Sequence, residues 1–136
     1  MLRFFHRTDG PGWESLLALS EAGASFSYNF IVRTLIVAAV LPIFVSLGVL
    51  VFFIRPTGTS LVLHYNVYFG VDLLGIWWQA YMFPALSLAL FAGHYFLAWH
   101  FYKKSERVAS YLLLLASGFL SIGLLIASVS VAFINY

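Results

Sequence analysis

Three long apolar runs and one short alternating stretch set out the plan of the chain. Residues 34–54, 76–102 and 108–134 are dominated by apolar side chains, and each is long enough to cross a hydrocarbon core of about 30 Å at about 1.5 Å per helical residue. The stretch between the first two runs behaves differently. From Leu61 the side chains alternate, with Leu61, Leu63, Tyr65, Val67 and Phe69 on one side and Val62, His64, Asn66 and Tyr68 on the other, the period of two that marks an extended chain. Gly70 then lets the chain turn, and Asp72, just ahead of the second apolar run, is placed to cap the helix that follows. The pattern predicts an all-α integral membrane protein, a single membrane domain of three transmembrane helices with an ordered, extended loop over residues 55–75.

Smaller signals refine each part. In residues 1–29, Pro11 stands where a helix can begin, and Trp13, Leu16 and Leu17 with Glu14 and Glu21 on other faces predict a short amphipathic helix lying on the membrane. Pro42 falls near the middle of the first span and is expected to bend it. The second span opens with Trp77, Trp78 and Tyr81 and closes with Trp99 and Tyr102, aromatic belts suited to both interfaces. Within it Ala85, Ala89 and Gly93 recur every fourth residue, a small-residue face that lets another helix approach closely. Along the third, Ser110, Leu114, Ser117, Ser121, Leu124 and Ser128 alternate steps of four and three, the spacing of a packing seam.

Composition agrees with the pattern: of 136 residues, 62% are hydrophobic and only 9% charged, and the mean hydropathy is +0.95, outside the range of a soluble domain. The net charge of +2 is too small for a nucleic-acid footprint. Its distribution says more. Arg3, Arg7 and Arg33 precede the first span, Arg55 stands alone between the first and second, Lys103, Lys104 and Arg107 lie between the second and third, and none follows the third. By the positive-inside rule the N-terminus is cytoplasmic and residues 55–75 and the C-terminus are extracytoplasmic. There is no cysteine, so the loop has no disulfide to staple it and no thiolate nucleophile is available.

Candidate chemistry is confined to a few side chains. His64, Asn66 and Asp72 have the donor types of a metal site or an acid–base pair, but two good ligands are too few for a closed site, and no metal or other cofactor is implied. The structural reading has Asp72 capping the helix, Asn66 bonding turn backbone and His64 bridging to Asp72 or a carbonyl, leaving His64, Asn66 and Tyr68 as a polar row for an extracytoplasmic ligand. His94 falls at hydrocarbon depth, roughly 13 Å from the end of its helix. It is either functional or a neutral imidazole bonded to a serine of the third helix.

The run L-H-Y-N-V-Y-F-G-V-D-L-L-G followed by Trp77 resembles a motif of small uncharacterised bacterial inner-membrane proteins, over residues 61–134. More distantly the loop is similar to the extracytoplasmic loop domain of the sporulation-delaying-protein immunity family, although Val62 replaces that pattern's proline and Gly70 comes one residue late. The distant resemblance implies a receptor-like immunity or signalling module. The expectation is a binding or interaction module rather than an enzyme, in contact with the lipid bilayer, with copies of itself or a larger membrane complex as candidate partners. Two alternatives stay open: a small structural subunit of such a complex, and a proton-coupled carrier or enzyme using His94.

Overall fold

The computed structural model describes residues 25–56 and 58–136, with Gly12, Glu14, Leu17 and Glu21 ahead of them. The elements run α1 (Phe30–Phe53), β1 (Leu61–Asn66), β2 (Gly70–Gly75), a 3₁₀ turn (Trp77–Tyr81), α2 (Met82–Lys103) and α3 (Arg107–Ile134). Of the amphipathic helix predicted near the N-terminus, Trp13 and Leu16 lie outside the described residues. Gly12, Glu14, Leu17, Glu21 and residues 25–28 are helical.

α1 starts a turn earlier than its apolar run because Asn29 supplies a cap. The Asn29 backbone is extended, and its Oδ1 accepts from the Ile31 and Val32 amides at 2.9 and 3.4 Å, which satisfies donors that a helix start leaves unpaired. Pro42 lies buried inside α1, and the helix ends where Ile54 turns extended ahead of Arg55 and Pro56. In α2, Pro84 sits in the first turn, where its missing amide hydrogen leaves no intrahelical bond unmade. The link from α2 to α3 closes tightly. Ser105, with a left-handed φ of 65°, lets the Lys104 and Glu106 amides both reach the Phe101 carbonyl.

The three spans are long and apolar enough to cross a membrane: Phe30–Phe53, Trp77–Lys103 and Arg107–Ile134, with mean hydropathies of 2.9, 1.4 and 2.4. Their packing has the inverse character of a soluble bundle. Large apolar side chains such as Phe44, Phe52, Phe96, Phe119 and Phe133 point outward and are more than half exposed, while the interior is lined by small residues and by buried Ser46, Ser87, Ser110, Ser117, Ser121 and Ser128. α3 packs along both α1 and α2, which touch each other far less. Serine pairs bond across these seams: Ser46 donates to Ser128 at 2.6 Å, Ser128 in turn donates to the Leu124 carbonyl, and Ser87 donates to Ser121 at 3.1 Å, while the buried Ser110 hydroxyl has no partner among the described residues. Ser117 is bonded within its own helix to the Leu114 carbonyl.

The small-residue face of α2 is turned the other way. Ala85, Ala89 and Gly93 are exposed, and the inward seam of that helix is Pro84, Ser87, Ala98 and Tyr102. Two apolar clusters close the bundle. Phe26, Val32, Ala98, Tyr102 and Leu114 fill the end near the α2–α3 turn. Leu50, Ile54, Leu61, Ala80 and Val131 fill the other, where β1 takes root.

Candidate functional site

The loop between α1 and α2 is a β-hairpin rather than one extended segment. β1 and β2 pair antiparallel, with Leu61 opposite Gly75, Val62 opposite Leu74, Tyr65 opposite Val71 and Asn66 opposite Gly70, and with two irregularities around His64. The turn between them is specified locally. Asn66 Oδ1 accepts from the Tyr68 amide at 2.9 Å, and Gly70 takes a φ of 76° that other residues resist.

The root of the hairpin is fixed by Asn135, Gln79 and Tyr81 from outside the strands and by the burial of its own Leu61. Asn135, just past α3, receives the Val62 amide on Oδ1 at 2.8 Å and returns Nδ2 to the Val62 carbonyl at 2.7 Å. Its amide therefore stands in for a neighbouring strand. Leu61 is buried against Leu50, Ile54 and Val131. Gln79 accepts from the Ile76 amide at 2.9 Å, and Gly75 is needed beneath it, since a Cβ there would run into Gln79 Oε1 and the Leu63 side chain. The Tyr81 hydroxyl lies 3.4 Å from both the Leu50 and Ile54 carbonyls, a further donor at the end of α1, where the Leu50 carbonyl also accepts the Ile54 amide at 2.8 Å.

Beyond the root the hairpin is bare. Val67, Tyr68 and Phe69 at its tip are 85%, 90% and 84% exposed. His64 Nδ1 donates to Asp72 Oδ1 at 2.7 Å across the strands, with both side chains open to the surroundings. Asp72 is thus not the helix cap that its place ahead of an apolar run suggests. It lies inside β2, the chain continues through a 3₁₀ turn, and α2 begins only at Met82. The polar row is also broken up: His64 faces Asp72, Asn66 is committed to the turn, and Tyr68 sits on the tip outside either strand.

His94 lies in α2, partly buried, and its Nδ1 donates to the Leu90 carbonyl of its own helix at 2.8 Å, in place of a bond to a serine of α3. Among the described residues no three His, Asp or Glu side chains come together as a metal site. Asn135, Gln79 and Tyr81 hold the site; sequence reasoning passes over Asn135 and Gln79 and reads Tyr81 only as part of an aromatic belt. The available signal was an asparagine immediately after the last apolar run, at a helix end whose carbonyls need partners. Comparison with protein-family models, with curated protein sequences and with solved structures finds no match to the chain.

Proposed function

We infer that the chain is a membrane-embedded binding module of the bacterial inner membrane, with the N-terminus cytoplasmic and the hairpin on the extracytoplasmic side as its recognition element. One observation carries this reading: a hairpin held at its root by Asn135 and by the burial of Leu61 nevertheless leaves Val67, Tyr68 and Phe69 almost fully exposed at its tip. Rigid support beneath an uncovered apolar tip is what a recognition loop needs, because preorganisation lowers the entropy lost on contact. The His64–Asp72 bond stiffens the strands below the tip.

The test replaces Tyr68, and separately Gly58, by the photoreactive amino acid p-benzoylphenylalanine in native membranes. Adducts of any class, lipid or protein, formed at position 68 and not at 58 support the reading; no adduct at 68 overturns it. Orientation is checked with Gly58→Cys and Ser105→Cys, since the chain has no cysteine of its own. An impermeant thiol reagent is expected to label position 58 on intact cells and position 105 only after permeabilisation.

A second reading, a subunit of a larger assembly, is favoured by the exposed Ala85, Ala89 and Gly93 on α2, where a neighbouring helix would come close. Ala89→Phe is expected to shift the detergent-purified particle to smaller mass if that face holds a partner, and to leave it unchanged otherwise.

A further inference from the structure

Among the described residues the outer half of the hairpin finds nothing that buries its apolar side chains. Besides the tip, Tyr65 and Val71 lie opposite one another on the strands and are each about half exposed. From Ser60 to Trp78 the chain carries no Lys, Arg or Glu, and its one acidic residue, Asp72, is bonded by His64. Strands whose edges meet water are usually guarded by lysine, proline or other charges, because an unpaired edge recruits other chains. This hairpin has no such guard. Its aromatic, nearly uncharged composition is instead that of the belts where membrane proteins meet the headgroup layer.

We propose that the hairpin's partner is the lipid surface itself: the tip and the Tyr65–Val71 side lie in the headgroup layer beside the bundle, with the His64–Asp72 pair toward water. The proposal rests on the reading of the chain as a membrane-embedded module and names what that module touches. Continuity supports it, since the strands lead directly into Trp77, Trp78 and Tyr81 at the start of the second span. Length supports it as well. Six-residue strands extend roughly 20 Å, whereas the headgroup layer on each side of the hydrocarbon is only about 5–8 Å deep. An upright hairpin would carry its apolar tip through that layer into water; a reclining one keeps it there. The open strand edges set the lower limit of depth. Asn135 covers the β1 edge at Val62, but the remaining outward backbone groups need water or headgroups, which the hydrocarbon core does not supply.

The test places a single environment-sensitive fluorophore on Tyr68→Cys or Gly58→Cys in phosphatidylcholine–phosphatidylglycerol vesicles at high lipid-to-protein ratio. At position 68 the label is expected to lose most of its emission to a lipid spin-labelled near the headgroup and little to aqueous iodide, with the reverse at position 58. Iodide quenching at 68 equal to that at 58 overturns the lipid proposal. The module reading survives that result if the photoprobe at Tyr68 still forms adducts, and falls with it if none form. Protection at 68 that disappears as the protein is diluted in lipid also overturns the proposal, in favour of a second copy of this chain. A Phe119→Cys label, on the outward face of α3, checks insertion in the same vesicles. If it too is open to iodide, the bundle is not embedded and both readings fall together.

Discussion

At the turn end of the bundle Asn29 joins helix to helix, and at the opposite end Asn135 joins helix to hairpin. Asn29 caps α1 with its oxygen while its Nδ2 donates to the hydroxyls of Tyr102 on α2 and Tyr111 on α3, at 3.3 and 2.9 Å. Around it Phe26 meets Tyr95 and Tyr102 edge to face, Lys103 lies 3.3 Å from the centre of the Trp99 ring and Arg107 lies 5.7 Å from that of Tyr102. α1, α2 and α3 are thus tied to one another. Asn135 uses the same chemical group on the backbone of a single strand residue and on the Val131 carbonyl of its own helix. The first end is stapled shut and the second holds an appendage out, so damage to the first should spread through the molecule and damage to the second should stay local.

The largest effect is expected from Asn29→Ala. It removes a cap worth about 0.5–2 kcal/mol and two hydroxyl bonds worth about 0.5–1.5 kcal/mol each, for a net loss of about 2–3 kcal/mol, read as global unfolding at lower denaturant in a detergent titration. A similar global loss, about 1–3 kcal/mol, is expected for Ser121→Leu, because a buried hydroxyl bonded to Ser87 is replaced by a side chain that overfills the seam. Ile122→Leu, on an exposed neighbour, should change little; equal effects at the two positions would remove the argument that the serines mark the packed face.

The hairpin variants sharpen the other half of the comparison. Asn135→Ala should speed amide exchange in β1 and β2 by about tenfold or more, the loss of roughly 1–2 kcal/mol of local protection, while exchange in the helices stays as it was. If the helices loosen equally, the two ends are not independent. Gly70→Ala should cost about 1–2 kcal/mol through its left-handed backbone, again confined to the hairpin. The smallest effect belongs to Asp72→Asn. An exposed pair contributes about 0.2–1 kcal/mol, and an amide oxygen still accepts from His64, so stability should move by less than about 0.5 kcal/mol. Loss of photoadducts at position 68 in that variant, with the fold intact, would assign the carboxylate charge a direct part in recognition.

The three spans are legible in the sequence because hydropathy over some twenty residues is a strong local signal, and their ends differ from expectation mainly by a turn, at Asn29. The hairpin is half legible. Alternation from Leu61 marks the extended chain of β1 but runs on through Val67–Phe69, which form the turn, and misses the register shifts at His64; Gly70 closes that turn, and β2 reads from sequence as the approach to a helix. An aspartate ahead of an apolar run fits a cap as well as it fits a strand, and only the pairing of Asp72 with His64 across the turn decides between them. The stripe of Ala85, Ala89 and Gly93 was visible for the same reason that its direction was not. Spacing identifies a face, but which face turns inward depends on neighbours far along the chain, here Ser121 and Leu114, which meet Ser87 and Ala98 instead. Asn135 acts on a residue 73 positions away, beyond the reach of any local pattern.

That separation also sets an order in time. A β-hairpin closes in about 1–10 μs, so β1 and β2 can pair as soon as they have emerged. At about 5–20 residues per second of synthesis, the asparagine that clamps Val62 follows the end of β2 roughly 3 to 12 s later, after two more spans have been made. For that interval, about a million times its own closing time, the hairpin must persist without its brace. The bonds written into its own sequence, Asn66 to the Tyr68 amide and His64 to Asp72, are the ones already available to the newborn chain while it waits.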